Sequence, residues 1–223
     1  MVKVASILRG CETFLFDCDG LENNKNIICS AHVAATFLRD NPPDGEVYVI
    51  GESGISTELK KFGIPHHGVG VKAVLVGFDS HFNYRKLMQA TSYISKGASF
   101  YATNEDAQLP GGNIVLPGTG SIVSAVKVAS GKEPVVFGKP HKPMFDLLCK
   151  YCDLDPSKTI MVGDNLYTDI AFGNKFGLYT ACVLTGVTNQ KLIDKVNTTP
   201  GDEVLRPKFV FESVADILNI LKT

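Results

Sequence analysis

The chain has 223 residues, 44% hydrophobic and 20% charged, with a formal net charge of −1. That is enough apolar material for one large or two modest globular domains, and too little charge of one sign for nucleic acid or an anionic membrane surface to be the main partner. No window approaches the ~20 apolar residues of a membrane span, and residues 1–16 are broken by Arg9 and Glu12 without a signal-peptide cleavage pattern, so a cytoplasmic protein is expected.

In chain order, Phe14-Leu15-Phe16 is an unbroken apolar run that ends in Asp17-Cys18-Asp19-Gly20. Such a run predicts a strand buried on both faces. Side chains at i and i+2 of an extended chain point the same way. Asp17 and Asp19 are therefore expected to project together from the strand's C-terminal end, with Cα atoms about 6–7 Å apart, at the edge where open α/β sheets bind ligands. Ser30 to Leu38 predicts a helix stopped near Asn41-Pro42-Pro43, and Val47 to Ile50 a buried strand ending at Gly51. Residues 71–78 predict a strand, Tyr84 to Ser95 an amphipathic helix, and Ser99 to Thr103 a further strand. Pro117-Gly118-Thr119-Gly120-Ser121 opens a helix running to about Ser130. Val135-Val136-Phe137-Gly138 is another apolar run, and Lys139-Pro140 follows it. Residues 144–152 read as a helical face. Ile160-Met161-Val162-Gly163 ends in Asp164, and Asp169 lies five residues beyond. Asp216 to Leu221 predicts a closing helix. Alternating strands and helices imply a parallel α/β sheet with crossovers.

Smaller features favour plain roles. The six cysteines include Cys149-Lys150-Tyr151-Cys152, but this C-x-x-C sits on a helical face with no second pair, so reduced thiols are expected. His66-His67 has no acidic or cysteine partner at ligand spacing and predicts an exposed loop. Gly118-Thr119-Gly120 lacks P-loop spacing, so a hinge and helix start is favoured over a phosphate cradle.

The ordered set Asp17-x-Asp19-Gly20, Gly138-Lys139-Pro140 and Gly163-Asp164-Asn165-Leu166-Tyr167-Thr168-Asp169 resembles the haloacid dehalogenase (HAD) superfamily. The resemblance implies a Rossmann-like parallel sheet core over residues 1–51 and 133–223, with an inserted α/β cap of the C2 type over 52–132. Val74 to Asp79, Tyr101 to Asp106 and Pro117 to Ser121 are similar to caps of the phosphoglycolate, pyridoxal-phosphate and 4-nitrophenyl-phosphate phosphatase group. It further implies a Mg²⁺-dependent hydrolase of a small phosphorylated metabolite. Asp17 would be the nucleophile and Asp19 the acid and base. Asp17, Asp164 and the backbone carbonyl of Asp19 would hold the metal. Lys139 would stabilise the phosphoryl oxygens, and Asp169 and Asn165 would support the ligands. Asn104 and Leu109 would line the substrate-selecting cap loop. Leu109 stands where pyridoxal-phosphate members carry histidine, which favours phosphoglycolate or 4-nitrophenyl phosphate. A homodimer through the cap is also implied.

In that family the first motif is followed by a strand ending in Ser or Thr, which binds the phosphoryl group. Here Gly20 runs through Leu21 to Asn26 directly into Ile27-Ile28-Cys29-Ser30. About 50 residues, one strand–helix unit of a parallel sheet, are missing relative to the family pattern. Ser30 and Thr36 fall in the later helix and do not replace the hydroxyl. Two functions therefore stay open: an active phosphatase, or a HAD-fold protein that binds a phosphate ligand or a protein partner without turnover. A third, an aspartate-phosphorylated receiver, fits poorly with Asp19, which suits rapid hydrolysis.

Overall fold

The computed structural model describes residues 2–17, 27–66, 69–109 and 114–222. Asp19, with Cys18, Gly20 and residues 21–26, lies outside them, as does His67. The strands are β1 Thr13–Phe16, β2 Glu46–Ile50, β3 Val71–Val76, β4 Ser99–Ala102, β5 Gln108–Leu109, β6 Leu116–Pro117, β7 Val135–Val136, β8 Thr159–Gly163, β9 Tyr179–Val183 and β10 Phe209–Phe211. The helices are α1 Val2–Gly10, α2 Ser30–Asp40, α3 Ser53–Lys61, α4 Tyr84–Ser95, α5 Thr119–Ser130, α6 Lys142–Cys152, α7 Ala171–Lys175, α8 Gln190–Thr198 and α9 Val214–Lys222. The chain divides into two compact units, residues 1–27 with 145–223, and residues 28–144.

The first unit is built on the parallel sheet β1-β8-β9-β10. Ile160, Val162, Ala181 and Val183 face Leu8 of α1 and Ile217 of α9. Cys182 points the other way, toward Leu166, Ile170 and the α8 residues Ile193 and Val196. Alternate residues thus feed two apolar layers, which is why β8 reads as a continuous apolar run and is buried throughout. β1 differs from expectation. Among the described residues its one ladder partner is β8, and Phe16 is 46% exposed. An edge position, not a change in apolar character, leaves the strand half-covered.

The second unit carries the parallel sheet β2-β3-β4-β7. Val74, Val76 and Phe100 pack against Ala90 and Ile94 of α4 and Ile122, Val123 and Val126 of α5. Phe37 of α2 meets Tyr101 and Phe137, with ring centroids 5.8 and 5.1 Å away. Each fully buried side chain of this size contributes about 1.5–3 kcal/mol. Asn83 caps α4 by accepting the Lys86 N–H at 3.1 Å.

The two units divide at 27/28 and 144/145, whereas the sequence placed boundaries at 51/52 and 132/133. The cause is strand pairing. β2 runs in register with β3 from Val47 to Ile50, and β7 adds to β4. Residues 28–51 and 133–144 are thereby drawn to the middle unit. His66 also departs from expectation. It is buried, with Nδ1 2.7 Å from the Ile64 carbonyl oxygen.

Candidate active site

Asp17 follows β1 immediately, and Asp164 follows β8. The two strands are adjacent and parallel, with Phe16 opposite Val162, and the Asp17 N–H extends the ladder by donating to the Val162 carbonyl at 3.0 Å. Both acids therefore emerge at the same carboxyl edge of the sheet. Asp169 arrives by a different route. Residues Leu166–Ile170 form a π-helical turn, in which the Ile170 N–H reaches back to the Asn165 carbonyl at 3.2 Å. The wider turn brings Asp169 underneath Gly163. A Cβ at Gly163 would overlap the Asp169 carboxylate, so glycine is required there for close approach.

Carboxylate oxygens of Asp17, Asp164 and Asp169 all lie within 4.8 Å of one another. Their exposure is graded: Asp17 is exposed, Asp164 intermediate, and Asp169 fully buried. Three carboxylates this close, offering hard oxygen donors from a sheet edge, suit a small divalent cation such as Mg²⁺. Asp169, expected as a supporting residue, stands inside the potential ligand group itself. It accepts the Asn165 N–H at 3.1 Å. The Asn165 side chain accepts the Tyr167 N–H at 2.9 Å and so caps the turn.

One contributor escaped the sequence reading. The Val187 N–H donates to Asp164 Oδ2 at 2.7 Å, and the Thr188 N–H to the Asp164 carbonyl oxygen at 3.1 Å. A Cβ on Gly186 would strike the Asp164 carboxylate. The segment after β9 thus fixes the orientation of Asp164. Its position just past a strand running to the same sheet edge was the available clue. Cys182, on β9 opposite Gly163, reports the local field. Burial pushes its thiol up to about 11. Contact with Thr188 opposes this, and the charges of Asp164 and Asp169 add to it.

Lys139 lies in the middle unit just beyond β7, and its peptide bond to Pro140 is cis. The three strands expected to carry the site in one sheet are thus split, β1 and β8 in one and β7 in the other. Asn104 belongs to the same unit as Lys139. A Cβ on Gly138 would stand 2.9 Å from the Asn104 Cβ, so the Asn104 backbone passes directly beside the residue preceding the lysine. Leu109 sits in β5, paired with Leu116 of β6.

A second acid and histidine cluster, Glu52, Asp79 and His81, occurs in the middle unit. Its donors are already engaged. Asp79 is 2.6 Å from Lys86 Nζ and accepts the His81 N–H, while Glu52 accepts both the N–H and the hydroxyl of Ser80. An ammonium in contact supplies the positive charge a cation would bring, so this cluster reads as structural.

An α/β chain that gathers three carboxylates at the carboxyl edge of a parallel sheet has the kind of edge site at which α/β enzymes hold ligands and cations. A family profile described as HAD-hydrolase-like matches residues 136–217, a span containing Lys139, Asp164 and Asp169. The glycerol-3-phosphate phosphatase of Gallus gallus is 39% identical, the match covering 89% of this chain and 72% of that protein. Among solved structures, a p-nitrophenyl phosphatase from Archaeoglobus fulgidus superposes with a TM-score of 0.80 at 30% identity, over 90% of this chain and 77% of that one. A glycerol phosphate phosphatase from Mycobacterium tuberculosis, in complex with magnesium, superposes with a TM-score of 0.76 at 30% identity, over 86% of this chain and 58% of that one. The chain belongs to the HAD-like hydrolase family, and these relatives are phosphatases.

Proposed function

We propose that the chain is a Mg²⁺-dependent phosphomonoester hydrolase acting on a small phosphorylated metabolite. The observation that carries this reading is the convergence of Asp17, Asp164 and Asp169 at one sheet edge. Asp17 attacks phosphorus as the ester P–O bond breaks, giving an aspartyl-phosphate. Asp19 donates its proton to the leaving oxygen. It then takes a proton from the water that attacks phosphorus, which frees inorganic phosphate and the Asp17 carboxylate. Asp17, Asp164, Asp169 and the Asp19 carbonyl would hold the cation. When bound, it offsets the negative charge that the nucleophile and the phosphoryl group bring together. Lys139 supplies a positive charge to the equatorial phosphoryl oxygens.

The middle unit serves as the cap, and its loop with Asn104 and Leu109 contacts the substrate. The relatives' names point to 4-nitrophenyl phosphate and glycerol 3-phosphate as test substrates, beside 2-phosphoglycolate from the cap sequence. A cytoplasmic homodimer joined through the cap completes the proposal. One observation favours a second reading, binding without turnover: β1 is a half-covered edge strand, as expected if the strand–helix unit with the phosphoryl-binding hydroxyl is missing. The deciding assay is release of 4-nitrophenol from 4-nitrophenyl phosphate. Activity that requires Mg²⁺ and disappears in Asp17→Asn supports hydrolysis. A folded chain that binds the ester and releases nothing supports the second reading.

A further inference from the structure

The turn between β4 and β5 is held by glycine backbone on two sides. On one side, the Gly118 N–H donates to the Ala107 carbonyl and the Gly120 N–H to the Asp106 carbonyl, both at 2.9 Å. A Cβ on Gly120 would stand 2.5 Å from the Glu105 carbonyl oxygen, and one on Gly118 2.9 Å from the Asp106 carbonyl carbon. On the other side, a Cβ on Gly138 would stand 2.8 Å from the Thr103 carbonyl oxygen. Ordinary contact begins near 3.4 Å, so each glycine is needed for close approach. Gly118, at φ −83°, is not there for its backbone angle. Within the turn, the Asp106 N–H donates to Asn104 Oδ1 at 3.2 Å. Side chains also tie the turn to its neighbours: Lys127 Nζ of α5 lies 3.4 Å from Glu105 Oε1 and 2.7 Å from Glu133 Oε2, and His141 Nε2 lies 3.5 Å from Glu105 Oε2.

We propose that Gly118, Gly120 and Gly138 are positioning residues for substrate discrimination, with Lys127 locking the same turn through Glu105. Together they set the Asn104–Ala107 backbone between the start of α5 and the step into Lys139. Gly118-Thr119-Gly120 then acts as a platform for the selecting loop, neither a phosphate cradle nor a free hinge. The inference rests on the reading that this loop contacts the substrate.

The test measures binding, so it does not depend on turnover. In the Asp17→Asn protein with Mg²⁺, dissociation constants for glycerol 3-phosphate, 4-nitrophenyl phosphate and inorganic phosphate are measured by calorimetry. Clearing the Glu105 carbonyl for Gly120→Ala requires a shift of about 1 Å, from 2.5 to 3.4 Å, and displacements of that size can cost up to roughly 100-fold where geometry matters. Gly120→Ala and Lys127→Met should each change the ratio of the two ester constants by about fivefold or more, leave inorganic phosphate within about twofold, and Lys127→Arg should restore the ratio. If Gly120→Ala does not fold, Lys127→Met decides. Folded variants with an unchanged ratio, beside an Asn104→Ala that does change it, overturn the positioning role and leave the loop reading intact. A ratio that Asn104→Ala does not move, or no binding of either ester, overturns both.

Discussion

Replacing Asp164 with asparagine should raise stability without metal and remove the stabilisation that metal confers. Asp164 and Asp169 carry oxygens within 4.8 Å of each other, and Asp169 is fully buried. At an effective dielectric of about 20, two such charges repel by about 3 kcal/mol. Asparagine removes one charge and keeps an oxygen for the Val187 N–H, now at 2.7 Å. In EDTA the variant should therefore gain about 1–3 kcal/mol, or roughly 2–12 °C in Tm for a chain of this size. Mg²⁺ at about 100 times its Kd should add ~2.7 kcal/mol to the wild type and little to the variant. The variant's advantage over the wild type should thus shrink by ~2.7 kcal/mol between EDTA and Mg²⁺, read by thermal unfolding followed by circular dichroism. A wild type indifferent to Mg²⁺, or an undiminished Mg²⁺ shift in the variant, refutes the reasoning.

Asp17→Asn should lower any phosphomonoesterase rate by a factor on the order of 10³ or more, measured by phosphate release at saturating ester. At pH 8, Cys29 and Cys152, both exposed, should react with a disulfide reagent, while Cys182, pushed up to about 11 chiefly by burial, should stay unlabelled until the protein unfolds. In the middle unit, burial works against the Glu58 carboxylate, but hydrogen bonds from Lys61 and His32 outweigh it and hold its pKa below 4.5. A depressed folded pKa stabilises above the unfolded value and fades as pH falls through the folded one. Wild-type stability should therefore drop below about pH 4.5 more steeply than that of Glu58→Gln, seen in denaturant midpoints across the acid range.

Element type was legible wherever periodicity was clear. The amphipathic stretch predicted over Tyr84 to Ser95 is α4, and the Asn83 cap that starts it was a further signal in the sequence that went unread. Partner choice was not legible. A strand apolar on both faces, such as Val47 to Ile50, carries no local label for the sheet it joins; its pairing with β3 follows from the crossover through α3. The apolar run of β1 does not itself mark an edge position; the block missing after Gly20 was the signal that unpaired backbone and exposed apolar surface would follow. At the site, Asp17 and Asp164 were readable because each directly ends a strand. The close approach of Asp169 depends on a π-helical turn and on Gly163, and the grip on Asp164 comes from residues beyond the next strand. His66 looked like loop because its partner is a carbonyl two residues back, a contact with no sequence pattern.

The most direct measurement is anomalous diffraction from crystals grown with Mn²⁺ in place of Mg²⁺. A single strong peak among the carboxylates of Asp17, Asp164 and Asp169, lost in Asp164→Asn, is the expected result. No peak there, or a peak at Glu52, Asp79 and His81 instead, would contradict the proposed metal centre.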